Sequence, residues 1–308
     1  MTPGRWVAVA LAVPVAIALI GWTGFTLVTT IAQGSYPFSY PVQVRDGQVA
    51  VNVNEGNITL REASGGPARL TGTVRYGLVR PGITESTTAA GISVGINCDG
   101  IASDCGMDAT LAVPARTGVS LASYGGDVAI SDWAGHVALY TGGGNINAGN
   151  LAGTVQIVTS GGDVTATALT GTVQISTQDG NVNADDLAGT VRLDTGGGDL
   201  TTDGLSGTVQ ISTQDGNVNA NSVSASQLTI DSGGGDVNLV FTQPPTNLQI
   251  TSDDGNINLV LPPGAKYDIA TPNTDSGNVN YPPSLFSSSS PDKITLNSGG
   301  GDISISQG

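Results

Sequence analysis

The chain has 308 residues and a net charge of −15, with 45 glycines and only 11% charged side chains. The sign excludes a surface that tracks phosphates, since nucleic-acid binders are basic. A single histidine, His136, and two cysteines exclude a specific Ser-His-Asp arrangement and a four-ligand zinc site.

Residues 1–5 form a short end containing Arg5, and an almost uncharged run extends from Trp6 to Val28. At about 1.5 Å per residue this run is roughly 34 Å long, enough to cross a hydrocarbon core. It predicts a transmembrane helix over 6–28, with Trp6 and Trp22 near its ends. Arg5 and the amino terminus place residues 1–5 in the cytoplasm and everything after Val28 outside, in a single-pass plasma-membrane protein. The other reading is a cleaved signal peptide. The run is long for that, and no clean small-x-small cleavage site comes after it.

Residues 29–40 read as a linker. Residues 41–116 hold six of the eight arginines (45, 61, 69, 75, 80, 116) and alternate without clean periodicity. Glu55-Gly56-Asn57 is similar to the turns that come later. The reading is an irregular β-rich cap that covers the open end of the repeats beyond residue 116, because an exposed edge strand invites aggregation. Cys98 and Cys105 bracket a short loop outside the membrane, so one disulfide is expected.

Residues 117–308 are repetitive. GTVQISTQDGNVNA occurs at 171–184 and again at 207–220. Gly135, Gly153, Gly171, Gly189 and Gly207 recur every 18 residues, as do Gly126, Gly144, Gly162, Gly180, Gly198 and Gly216. Within the coil 152–169, Val155 and Ile157 alternate with Thr154 and Gln156, and Val164 and Ala166 with Thr165 and Thr167. Period two with β-branched residues signals strands. The runs are separated by Ser160-Gly161-Gly162-Asp163, a tight turn whose residues accept positive φ. One coil cannot bury a core, so stacked coils must share one. The prediction is an all-β fold, a parallel β-solenoid of about 18-residue coils with rungs roughly 4.8 Å apart and a rod of roughly 50 Å. Val155, Val173, Val191 and Val209 should stack inward, as should Ile157, Ile175, Leu193 and Ile211. Beyond Gly216 the turn glycines are Gly235, Gly255, Gly277 and Gly301. Their spacing grows, and Pro244-Pro245, Pro262-Pro263, Pro272 and Pro282-Pro283 mark loops on one side.

The N-terminal anchor, the Cys98–Cys105 pair and units such as Ser160-Gly161-Gly162-Asp163-Val164 and Leu187-Ala188-Gly189-Thr190-Val191 carry a resemblance. The chain resembles the putative adhesin family of bacterial β-strand-repeat domains of unknown function, in its membrane-anchored form. The resemblance implies a β-solenoid at the cell surface and brings no catalytic residues.

Residues 117–265 carry one basic side chain, Arg192, and fourteen aspartates. After the turn glycine stand Asp127, Asn145, Asp163, Asn181, Asp199 and Asn217, so Asp and Asn alternate coil by coil. Like positions in a solenoid lie about 4.8 Å apart, and exposed charges at that distance repel by up to about 1 kcal/mol. The alternation therefore keeps carboxylates off carboxylates. Calcium needs six to eight oxygens, and only one half of each coil offers carboxylates, so no metal site or cofactor is expected. The acids Asp185-Asp186 and Asp253-Asp254 are the candidates for a glycan-active β-helix enzyme. Adjacent residues on a strand point to opposite faces, which argues against a paired acid and base. Trp133 and Tyr140 are candidate surface aromatics for stacking on a sugar. The reading is a non-enzymatic, membrane-tethered surface protein, adhesin-like or envelope-organising. Its partners are the membrane, through residues 6–28, and a cell-wall or surface glycan or protein, with no nucleic acid. The alternatives are the glycan-active enzyme and a calcium-stabilised structural rod.

Overall fold

The computed structural model describes residues 34–88, 91–97, 105–270 and 272–308. The expected cytoplasmic end 1–5, the apolar run 6–28, residues 29–33 and Cys98 lie outside the described residues. Among the described residues no helix is long and apolar enough to cross a membrane. Among these residues strands dominate, joined into one continuous sheet, with a single 3-10 turn at Pro283–Leu285.

The N-terminal part contains β1 (Gly34–Pro41), β2 (Gln48–Val53), β3 (Asn57–Glu62), β4 (Arg69–Tyr76), β5 (Ile83–Thr88), β6 (Gly91–Ile96), β7 (Gly106–Val113) and β8 (Gly118–Ser123). Most of the expected linker from Gly34 onward is strand β1. Stacking here does not follow chain order. Strand β2 lies in parallel between β6 and β8, and β3 lies between β7 and β9 (Val128–Thr141). Residues 48–62 therefore form an ordinary rung, and the region is more regular than its sequence suggests. The end of the stack is closed by antiparallel strands: β4 on β7, β1 on β4, and β5 on β6.

Next come β10 (Ile146–Thr159), β11 (Val164–Thr177), β12 (Val182–Thr195), β13 (Leu200–Thr213) and β14 (Val218–Ser232). From β9 to β13 each pairs in parallel with the next at an offset of 18 residues, which is the sequence period. Each of these long strands bends at a corner into two faces. The predicted columns form: Val155, Val173, Val191 and Val209, and Ile157, Ile175, Leu193 and Ile211, are all at most 2% exposed. Leu151, Leu169, Leu187 and Leu205 fill the corner. Burying each such side chain contributes about 1.5–3 kcal/mol, and stacking supplies the burial that a lone coil lacks.

Two local expectations are corrected. Positive φ is found at the corner, at Asn150 (52°), Ala168 (57°), Asp186 (55°) and Gly171 (114°), and the glycine of the Ser-Gly-Gly-Asp turn is not in that region. Gly162 is needed for a different reason. A Cβ built there would sit 1.8 Å from the carbonyl oxygen of Gly144 in the coil below. Trp133, expected on the surface, is only 4% exposed and donates its indole N–H to the Thr117 carbonyl at 3.1 Å. It heads the leucine corner column. Tyr140 is half-buried and donates to Gln156 Oε1 at 2.9 Å.

The C-terminal part holds β15 (Val237–Phe241), β16 (Asn247–Ser252), β17 (Ile257–Leu261), β18 (Asp268–Ile269), β19 (Asn273–Thr274), β20 (Val279–Asn280), β21 (Lys293–Ser298) and β22 (Ile303–Gln307). Chain order fails again. Strand β21 pairs with β16 on one side and with β18 and β19 on the other; β22 lies between β17 and β20. The final strands are thus the penultimate rung, and residues 268–280 close the rod. That closing edge is made of two-residue strands beside Pro272 and Pro282-Pro283, which leaves little ladder for another chain to join.

Candidate functional site

Each coil crosses from one face to the other at the glycine turn, and the residue after that glycine immediately precedes the next strand. Its backbone N–H points along the stack. Asp and Asn at this place each offer a side-chain oxygen to the N–H of the next rung. Asn145 N–H donates to Asp127 Oδ1 at 2.8 Å, and Asp163 N–H to Asn145 Oδ1 at 2.9 Å. The same bond joins Asn181 to Asp163, Asp199 to Asn181, and Asn217 to Asp199. All six residues expected at this position are therefore brought into one exposed ladder.

The ladder extends beyond them in both directions. Asp236 donates to Asn217, Asn256 to Asp236, Asp302 to Asn256, and Asn278 to Asp302. At the other end Asp127 donates to Asn57, whose Nδ2 reaches Asp108 Oδ1 at 2.9 Å. Arg75 closes that end with an ion pair to Asp108 at 2.9 Å. In spatial order the members are Asp108, Asn57, Asp127, Asn145, Asp163, Asn181, Asp199, Asn217, Asp236, Asn256, Asp302 and Asn278. Asp and Asn alternate throughout, across both places where chain order breaks.

Chemistry distinguishes the two residues. Asparagine accepts from the next rung and also donates back. Asn181 Nδ2 reaches Asp163 Oδ1 at 3.3 Å, Asn217 reaches Asp199 at 3.1 Å, and Asn256 reaches Asp236 at 3.0 Å. A carboxylate thus takes two N–H bonds from the asparagine above it, a pair no aspartate could supply. Asp179, Asp215 and Asp254 stand before the turn glycine only in rungs whose ladder residue is Asn.

Beneath the ladder runs a buried polar column, Thr141, Thr159, Thr177, Thr195, Thr213, Ser232, Ser252 and Ser298. Thr141 Oγ1 accepts the Gly144 N–H at 3.1 Å and donates to the Gly126 carbonyl at 3.1 Å, tying a turn to the one below. Thr177 does the same with Gly180 and Gly162. Sequence reasoning missed this column. Its signal was a hydroxyl residue three places before every turn glycine from Gly126 to Gly301.

The candidate catalytic acids are placed differently. Asp186 occupies a corner at positive φ, while Asp185 Oδ1 accepts the N–H of Asp203 in the next coil at 3.2 Å. Asp253 and Asp254 are exposed in a glycine turn, held by backbone bonds to the Ser232 and Gly233 carbonyls. Asp185 thus bonds along the stack, while Asp186, Asp253 and Asp254 occupy a corner and a turn. Among the described residues no three His, Cys, Asp or Glu side chains gather as a metal site would require. Cys105 is half-buried just before β7 and is not a free thiol; its expected partner Cys98 lies outside the described residues.

The sequence pattern of the family described as Toastrack DUF4097 matches residues 153–306, half of the chain. A comparison with curated proteins returns no match. Among solved structures, a putative adhesin from Bacteroides fragilis is similar at 13% identity, over 89% of this chain and 97% of its own, with a TM-score of 0.35. A putative lipid binding protein from Parabacteroides distasonis is similar at 13% identity, over 87% and 96%, with a TM-score of 0.38. A putative cell adhesion protein from Clostridium sporogenes is similar at 13% identity, over 89% and 100%, with a TM-score of 0.18.

Proposed function

We propose that this chain, which belongs to the Toastrack DUF4097 family, is a non-enzymatic, membrane-tethered module of the cell surface. Its rod displays a regular polar face to a glycan or protein partner in adhesion or envelope organisation. The observation that carries the reading is the outward face of β10 to β13. Thr154, Thr172, Thr190 and Thr208 stand exposed in one column, and Gln156, Gln174, Arg192 and Gln210 line the next. Arg192 is held there by Gln210 at 2.8 Å and Asp194 at 2.7 Å. A core stacked in fixed register keeps these groups pre-organised, which lowers the ordering cost of binding an extended partner.

The apolar run 6–28 supports the tether. The use of Asp185, Asp186, Asp253 and Asp254 in turns and corners supports a non-enzymatic role. The ladder argues against a calcium rod, because each carboxylate is flanked by amides along the stack.

The chain has two lysines, Lys266 and Lys293, both exposed near the closing end of the rod. A membrane-impermeant amine reagent should label them on intact cells, and the chain should stay in the membrane pellet after alkaline carbonate. Immobilised protein should retain envelope material, and Arg192→Ala with Gln174→Ala should weaken that retention. Labelling only after lysis, or a glycan-cleaving activity lost in Asp185→Asn, contradicts the reading.

A further inference from the structure

The loop 77–82 between β4 and β5 carries Leu78 and Val79 to solvent, 43% and 58% exposed. Single exposed apolar residues are ordinary. Here two adjacent ones sit at the tip of a loop whose base is fixed. Gly77 and Pro81 are buried. Tyr36 donates its phenol O–H to the Pro81 carbonyl at 2.7 Å, and the Arg80 guanidinium lies 4.0 Å from the centre of the Tyr36 ring. The loop is held against β1 with its apolar tip turned outward.

Its position supplies the second observation. Gly34 pairs with Tyr76, so the chain enters the fold two residues from Leu78. Five residues, 29–33, separate Gly34 from the end of the apolar run. Fully extended, the six links from Val28 to Gly34 span at most about 22 Å. The entry point at Gly34 therefore lies within that reach of wherever the run ends, and the base of the loop is beside it. Charge agrees. Residues 34–116 hold six arginines against seven acids and are close to neutral, whereas residues 117–265 hold fourteen aspartates and one arginine. An anionic bilayer therefore repels the rod far more than this end of it.

We propose that Leu78 and Val79 form a docking tip that inserts into the headgroup interface of the lipid bilayer and holds the rod upright on the membrane. This rests on the tethered reading above. Apolar side chains gain by leaving water at such an interface, and the fixed loop loses little freedom in doing so.

The test places a tryptophan at the tip of the full chain, Val79→Trp, in vesicles of phosphatidylcholine and phosphatidylglycerol. Lipids bearing a shallow nitroxide quencher read its depth. Val240→Trp on the rod is the control, and the parent chain provides the background from Trp6, Trp22 and Trp133. The tip should be quenched several-fold more than the control, in a chain that resists carbonate extraction. An unquenched tip in a carbonate-resistant chain overturns the docking and leaves the tether standing. A tip that shifts to shorter wavelength only as the protein-to-lipid ratio rises overturns it in favour of a second copy. A chain released by carbonate removes the tether and the docking together.

Discussion

Replacing Asn145, Asn181 and Asn217 together with aspartate turns seven consecutive ladder positions, 127 to 236, into carboxylates. Six new carboxylate contacts appear at rung spacing. Each repels by about 1 kcal/mol at about 4.8 Å in a water-like dielectric, so the electrostatic loss is on the order of 5 kcal/mol at low salt. The donations from Asn181 to Asp163 and Asn217 to Asp199 also vanish. That part costs about 1 kcal/mol each and does not depend on screening. Urea carries no charge, so urea unfolding at about 10 mM and about 1 M salt separates the two parts, the Debye length falling from roughly 30 Å to roughly 3 Å. The triple variant should lose several kcal/mol at low salt and recover most of it at high salt, while the parent changes little. A variant without a salt-dependent loss, or one stabilised by micromolar calcium, refutes the electrostatic account of the alternation.

Single positions give three further expected outcomes. Gly162→Ala should destabilise severely, because its Cβ meets the Gly144 carbonyl, whereas Gly161→Ala, with open space around it, should be nearly neutral in the same thermal melt. Ile175→Asp buries an unpaired carboxylate at a fully buried position and should cost several kcal/mol; a variant that melts like the parent disproves the register. Burial and then Asp292 push the Tyr267 phenol up to about 12. The unfolded phenol ionises near 10 and the folded one near 12, so the native state holds more protons between them and stability falls as pH rises through that window. Tyr267→Phe should flatten the fall. It should also raise stability by about 1 kcal/mol, because the buried hydroxyl has no partner among the described residues.

The sequence made the coil legible because burial in a solenoid repeats with the chain. Val155 and Val173 face the same core, so the same residue type recurs every 18 positions. Rung order was not legible from spacing. Spacing says which residues occupy like places, and it does not say which coil lies on which. The clue was present in the ladder residues. In chain order Asn256 is followed by Asn278, two amides in succession; with Asp302 between them, as the structure has it, the alternation is whole. Asn57 beside Asp127 is the same case at the other end. The turn glycines were recognised for the wrong reason, since a contact between two coils leaves no trace in one. Trp133 was misplaced because an aromatic at a corner position reads as exposed until the stack above it is built.

Rung order at the closing end is the claim on which the ladder and both ends of the rod depend, and cysteine trapping measures it directly. Thr251 pairs with Asn297, and Asn297 pairs in turn with Asn273. Parallel neighbours at about 4.8 Å are within disulfide reach, and positions two rungs apart, at about 10 Å, are not. Under mild oxidation, with bonds mapped by peptide mass, the Thr251→Cys and Asn297→Cys pair should cross-link readily. The Thr251→Cys and Asn273→Cys pair should stay reduced. Rapid cross-linking of 251 to 273 with none of 251 to 297 would mean that the rungs stack in chain order, and would contradict the account.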